Sequence, residues 1–230
     1  MKDIMDKAAI IQVRMDSSRF PEKAIQPIVN KPLLWHVIER AKKINIPVIV
    51  ATTTRDIDDP IIDVAKSCNV DIFRGSFEDV LDRYFQVAKE FDLKQIFRVS
   101  ADTPLIDPRF CKKLVQAFEV NDTDYARFGY NTVGIGLEGF TFDALKQSWE
   151  KATSSEDREH VTTYIKDHPA DFRQLVIESD YNLGKYHWTV EVPSDLEFVK
   201  NIFKEFDDHI FYTEDIIKKI STNYNLAKKQ

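Results

Sequence analysis

Apolar runs of strand length alternate with segments of helical periodicity through the first half of this 230-residue chain, and that alternation constrains the fold more than any other feature. Ala8–Val13 (AAIIQV) is a continuous apolar run of strand length. Pro32–Lys43 follows, with Leu33, Leu34, Val37, Ile38 and Ala41 on one helical face. Pro47–Thr52 (PVIVAT) reads as a second buried strand, Asp59-Pro60 as the N-cap and first turn of a helix reaching about Cys68, and Val70–Phe73 as a third strand. Ser76 and Asp79 have the spacing of a capping box before a helix bearing Phe77, Val80, Leu81, Tyr84, Phe85, Ala88 and Phe91. Gln95–Val99 is a strand, and Asp107-Pro108 opens a helix with Phe110, Leu114, Val115 and Phe118 along one stripe. Strands that are apolar throughout need cover on both faces, so the pattern predicts an α/β fold with a mainly parallel sheet between two helical layers.

The second half is less regular. Tyr125–Tyr130 is strand-like, Thr141–Ala152 and Ser155–Asp167 are helix-like, and strands are expected near Arg173–Glu178 and His187–Val192. Ser194 and Glu197 are placed to cap a helix carrying Leu196, Val199, Ile202, Phe203 and Phe206, and Thr213–Ile220 is the last helix. With no repeat and no low-complexity linker, residues 1–230 read as a single domain, with an excursion at about 125–190 available for dimerisation or substrate.

Composition narrows the class. A net charge of −6 argues against a sequence-independent nucleic-acid binder, yet local cations can still gather an anionic small molecule. Two cysteines, Cys68 and Cys111, make no disulfide framework. No apolar run approaches the ~20 residues of a membrane span. Met1–Lys7 carries charges of both signs and no apolar core, unlike a secretory signal. The expectation is a soluble, cytoplasmic protein with neither a nucleic-acid nor a membrane partner.

The chemistry concentrates after the first strand, where Arg14, Arg19 and Lys23 surround Ser17 and Ser18. In open α/β sheets ligands bind beyond the carboxyl ends of the strands. Three cations with hydroxyl and backbone donors there match a triphosphate, with Arg giving bidentate contacts and Lys a mobile point charge. No Walker A glycines or GK[ST] are present. Ser100-Ala101-Asp102-Thr103-Pro104 ends another strand, and Asp102 there is placed to hold Mg2+ against phosphate oxygens; Glu191, ending HWTVE, is a second such carboxylate. Thr52 at the end of the second strand and Arg74 after the third are further candidates for nucleotide contact. The five histidines form no ligand pair, which argues against a zinc enzyme.

In their order along the chain, IIQVRMDSSRFPEKAI, FRGSFEDVLDRYF, VSADTPLIDP, SEDREHVTTYI and WTVEVPSDLEFV resemble the cytidylyltransferase-like proteins named for spore-coat polysaccharide synthesis, relatives of the CMP-Kdo and CMP-sialic acid synthetases. The likeness runs from about Ala8 to Phe203. It implies a three-layer nucleotidyltransferase fold of the glycosyltransferase-A type with a mixed, mainly parallel central sheet. It also implies Mg2+-dependent transfer of CMP from CTP to an acceptor sugar, a nonulosonic or related acid, with release of pyrophosphate, and a homodimer. Carried over, Arg14, Arg19 and Lys23 are the cations of the phosphate loop and Asp102 the metal aspartate. Arg14 and Lys23 stabilise the charge that develops on pyrophosphate. Ser17, Ser18 and Ser100 add nucleotide contacts, Glu191 stands where the family has Asp, and Glu138, Arg158 and His160 face the substrate. The chain departs from the family at Asp16 and Glu22, where glycines are common, and at Gly136, where an acidic residue is common.

Two other readings share the architecture. A nucleotide-sugar-dependent glycosyltransferase would place a D-x-D motif after a buried strand; Asp56-Ile57-Asp58 and Asp122-Thr123-Asp124 have the residues without that placement. A nucleotide-binding relative with weakened catalysis is the other, motivated by Asp16 and Glu22, which put negative charge beside the triphosphate, and by Gly136, which removes an acidic residue.

Overall fold

The computed structural model describes residues 5–129, 134–179, 186 and 188–222. Its strands are β1 (Lys7–Gln12), β2 (Pro27–Ile28), β3 (Lys31–Pro32), β4 (Val48–Thr53), β5 (Asp71–Gly75), β6 (Gln95–Ser100), β7 (Tyr125–Phe128), β8 (Glu138–Thr141) and β9 (Gln174–Ile177). The helices are α1 (Leu33–Lys42), α2 (Asp59–Ser67), α3 (Val80–Glu90), α4 (Pro108–Val120), α5 (Phe142–Lys151), α6 (Ser155–His160), α7 (Thr163–Asp167), α8 (Pro193–Phe203) and α9 (Thr213–Thr222). Seven strands form one sheet in the order β5-β4-β1-β6-β8-β7-β9, while β2 and β3 make a separate hairpin. Strand β8 is antiparallel to both its neighbours and the other pairings are parallel, which makes the sheet mixed and mainly parallel.

Alternation along each central strand explains the continuous apolar runs. Ala9 and Ile11 of β1 and Val48 and Val50 of β4 face a layer built on α1, α2, α4, α8 and α9. Ala8, Ile10, Ile49 and Ala51 face the other layer, where α3, α5 and α7 pack. Both faces are dry, so neither strand carries a polar stripe.

The departures have local causes. Helix α2 begins at Asp59, with Asp58 as its cap residue, one position before the expected cap. The Ser76 hydroxyl accepts from the Asp79 amide, and Asp79 in turn caps α3 at the Asp82 amide. The expected single helix over Ser155–Asp167 is two helices broken at Val161, whose φ of 60° and ψ of −53° lie outside the helical region. The His160 carbonyl accepts from the Thr162 amide at 2.6 Å, closing a γ-turn of the strained hand around that buried valine. Strand β8 escapes sequence reading because its stretch, EGFT, has one large apolar residue; it is held between β6 and β7, with Glu138 opposite Arg98. A Cβ on Gly139 would lie 2.9 Å from the Phe97 ring, so glycine lets β8 approach β6. The expected strand at His187–Val192 is absent over its described part, 188–192, which runs as irregular chain with the Val190 amide donating to the Asp102 carbonyl at 2.8 Å. Helix α8 starts at Pro193 and is capped by Asp195, which accepts from the Glu191 and Val192 amides, in place of Ser194 and Glu197. Tyr130, His187 and the terminal lysines fall outside the described residues.

Candidate active site

Two cavities open beyond the carboxyl ends of β1 and β6 and meet at Arg98, Ser100 and Asp102, which line both. The first, about 310 Å3, is lined by the loop after β1 (Arg14, Ser17, Ser18, Arg19, Lys23), by Gln12, and by Arg83, Glu159 and His160 from the helical side. Its five guanidinium and ammonium groups face two carboxylates, Asp102 and Glu159, in a protein whose net charge is −6. That local excess suits a polyanion.

The loop is folded around one residue. The Met15 carbonyl accepts from the Ser17 and Glu22 amides at 3.1 and 2.7 Å, and the Met15 amide donates to Asp58 at 2.7 Å. Neither of the two acidic departures, Asp16 and Glu22, lines either of these cavities. Asp16 is held by Arg55 at 2.6 Å and lies 3.7 Å from Arg14. Glu22 is exposed with φ of 57°, a left-handed position where glycine is the relaxed choice. Of the two departures, Asp16 keeps its charge next to Arg14 of the lining, partly offset by Arg55, while Glu22 is turned to solvent.

The second cavity, about 380 Å3, adds Thr103, Arg127, Gly136, Glu138, Lys166, Thr189 and Glu191 to the shared wall. Glu138 is its hub. It accepts from Arg98 at 2.7 Å, Thr162 at 3.0 Å and the Tyr125 hydroxyl, and pairs with Lys166 at 3.0 Å. Burial alone would raise its pKa, but Arg98, Lys166 and Tyr125 hold it down to about 2. Arg98 is in turn oriented by Gln12 at 3.0 Å. The other two carboxylates are paired with cations of the first cavity: Asp102 with Lys23 at 3.0 Å, and Glu191 with Arg19. Lys23 also donates to the Val190 carbonyl at 2.9 Å, and Ser100 to Asp102 at 2.6 Å.

Most residues singled out in the sequence meet in these cavities: Arg14, Ser17, Ser18, Arg19, Lys23, Ser100, Asp102 and His160 around the first, Glu138 and Glu191 around the second. Three lie outside both linings. Thr52 is fully buried within β4. Arg74 is spent on the Thr53 and Arg55 carbonyls, both at 2.8 Å, and on Asp59 at 2.9 Å, bracing the end of β4. Arg158 binds Asp79 and the Trp149 carbonyl, tying α6 to α3 and α5. The D-x-D stretches are occupied too: Asp58 is buried on Met15 and Thr53, and Asp122 and Asp124 hold Arg173.

Sequence reading missed Arg83, Arg98 and Lys166. A local signal existed for two of them. Arg98 interrupts a strand otherwise apolar at its centre, and Arg83 sits in the buried stripe of α3, where it donates to the Ser76 carbonyl at 2.9 Å. A cation in such a place must have a partner or a ligand.

Comparison with known proteins agrees with this geometry. The cytidylyltransferase family profile matches residues 8–221. The spore coat polysaccharide biosynthesis protein SpsF of Bacillus subtilis is 29% identical over 214 residues, spanning 89% of this chain and 88% of its own length. A solved cytidylyltransferase from Leptospira borgpetersenii superposes with a TM-score of 0.92 at 28% identity, covering 98% of each chain. CMP:2-keto-3-deoxy-manno-octonic acid synthetase, solved with CTP, shares the fold at a TM-score of 0.71 and 19% identity, covering 86% of this chain and 98% of its own. A cation-lined loop after the first strand and a carboxylate at the junction of two cavities are thus set in the fold of known nucleotidyltransferases, and the chain belongs to the cytidylyltransferase family.

Proposed function

We propose that the protein transfers CMP from CTP to an acidic sugar, a nonulosonic or related acid, and releases pyrophosphate, in the supply of a surface polysaccharide. The observation that carries this reading is the pair of cavities meeting at Arg98, Ser100 and Asp102, one with a surplus of cations and the other with its carboxylates already neutralised. The triphosphate occupies the first cavity and the acceptor the second, so the α-phosphorus lies at the junction. The acceptor hydroxyl oxygen forms the new bond to phosphorus as its proton passes to solvent. The bond from the α-phosphorus to the bridging oxygen breaks on the opposite side, that oxygen leaving with the electron pair as part of pyrophosphate. Arg14, Arg19 and Lys23 neutralise the departing pyrophosphate, Ser17 and Ser18 donate to its oxygens, and Ser100 fixes the Asp102 carboxylate. His160 closes the first cavity from the end of α6.

Asp102 and Glu191 suit Mg2+. Both are hard oxygen donors on the second cavity, and no group of three or more His, Cys, Asp or Glu side chains forms a ready-made metal cage among the described residues. Mg2+ is commonly held by one or two carboxylates together with substrate phosphates, and it supplies charge stabilisation on those oxygens when bound. Arg127 and Lys166 give the second cavity cations for an acceptor carboxylate. A homodimer acting in the cytoplasm completes the reading; among the described residues no helix is long and apolar enough to cross a membrane.

Thermal-shift titration with CTP, UTP, ATP and GTP, with and without Mg2+, tests it. Binding to the native state raises stability by mass action, so a shift selective for CTP and dependent on Mg2+ is expected. A preference for UTP or for a nucleotide sugar would point to the glycosyltransferase class, and no response to any nucleotide would overturn the reading.

A further inference from the structure

Asp58 is the most buried carboxylate near the phosphate loop, 1% exposed, and its direct hydrogen bonds come from neutral donors, with Arg83 acting on it at longer range. Its two oxygens are divided between two elements. One accepts the Met15 amide at 2.7 Å, and the other accepts the hydroxyl of Thr53, at the end of β4. Thr53 is itself fully buried and accepts the Arg55 amide at 3.2 Å. Met15 is the residue around which residues 15–22 fold, because its carbonyl holds Ser17 and Glu22 and its side chain is 2% exposed. A second strut lies alongside: Arg55 binds Asp16 at 2.6 Å while its own carbonyl is fixed by Arg74.

From this we infer that Asp58 is a positioning residue for the phosphate loop. It sets the register of Arg14, Ser17, Ser18, Arg19 and Lys23 by locking the Met15 amide to the rigid end of β4. The role rests on the reading of that loop as the triphosphate site. A carboxylate serves because one side chain must accept from a backbone amide on one side and a hydroxyl on the other, each a charge-assisted bond. The distance from Met15 N to the end of β4 is thereby fixed by one short, buried side chain, whereas a water bridge would leave it adjustable. The cations of the loop are long and mobile at their tips; what must be preset is where their backbones start.

Two variants separate positioning from simple stability. Asp58→Asn keeps an oxygen for the Met15 amide, while its NH2 faces the Thr53 hydroxyl, which must turn from donor to acceptor; it preserves the Met15 bond without the charge. Asp58→Ala removes both bonds. Binding of inorganic tripolyphosphate, followed by calorimetry, is expected to weaken by about tenfold or more in Asp58→Ala and to stay within about threefold of wild type in Asp58→Asn. Hydrogen exchange at the Met15 amide should accelerate in the alanine variant alone. With CTP, KM should rise and kcat should fall together in that variant, whereas a smaller folded fraction would lower kcat alone and leave KM unchanged. If Asp58→Ala does not fold, Thr53→Val removes the bond to Asp58 and the one from the Arg55 amide with little change of shape, keeps the Met15 bond, and should show the same pattern at smaller amplitude. A folded Asp58→Ala with faster Met15 exchange but unchanged tripolyphosphate affinity would overturn the inference, and so would Asp58→Asn behaving like alanine. Should wild type bind neither tripolyphosphate nor nucleotide, the functional reading fails, while unchanged Met15 exchange in Asp58→Ala would separately remove Asp58 as the anchor.

Discussion

The two cavities share a wall and differ in how they are built. The first is assembled by one contiguous loop, residues 14–23, from the parallel half of the sheet, with Arg83 and the end of α6 closing it. The second draws Arg98, Arg127, Glu138, Lys166 and Glu191 from five separate segments around the reversed strand β8. The first holds a surplus of positive charge. The second is organised by a carboxylate that four donors have already claimed. A polyanion needs field strength and tolerates mobile side chains, whereas an acceptor hydroxyl needs a fixed approach to phosphorus. On the proposed function, the difference in construction follows that difference in task.

Breaking the junction should cost most. Asp102→Asn is expected to lower turnover by about a thousandfold or more while circular dichroism shows an intact fold, because the carboxylate at the shared wall is lost to both sides. Full activity in that variant would remove Asp102 from the reaction.

The hub comes next. Glu138→Ala leaves Arg98 and Lys166 facing each other without their shared anion, and denaturant unfolding should show a loss of about 3–5 kcal/mol. The pH dependence has a definite sign. A carboxylate held at about 2 contributes its stability above the ordinary value of 4.5, and that stability is lost as pH falls from there through about 2. Glu138→Gln should flatten this limb of the stability profile; an unchanged limb would show that the network does not hold the charge.

A smaller effect separates the cavities. Lys166→Met touches the second cavity and not the first, so the acceptor KM should rise by about tenfold while CTP affinity, measured by calorimetry, stays put. Equal losses for both substrates would mean that the cavities do not divide them. The smallest expected change is a gain: Glu22→Gly relieves a left-handed backbone on the loop and should stabilise the protein by about 1 kcal/mol, read as a raised melting temperature.

The same contrast explains what was legible in the sequence. Strands β1 and β4 are buried on both faces, so their residues announce them as unbroken apolar runs. The loop cations are neighbours in the chain, and the end of a buried strand fixes where they go. Strand β8 hides because its register is set by the Arg98–Glu138 pair and by Gly139 against Phe97, contacts across the sheet that no local period reveals. The break at Val161 hides for a similar reason: a β-branched residue in a γ-turn is strained by ~1–3 kcal/mol and persists because Thr162 is tied to Glu138 and Tyr164 and Ile165 are packed beneath α3 and α5. Arg158 matched a motif and sits beside the cavity, yet its guanidinium is turned to Asp79; sequence places a residue in a neighbourhood and leaves its direction open.

The most direct test follows the transferred phosphorus. The protein is incubated with Mg2+, CTP labelled at the α-phosphorus, and a panel of nonulosonic and related sugar acids. The account predicts that label moves to one class of sugar acid with equimolar pyrophosphate, and that Asp102→Asn loses both products together. Label that stays in CTP, or that appears only as free CMP across the whole panel, would contradict it.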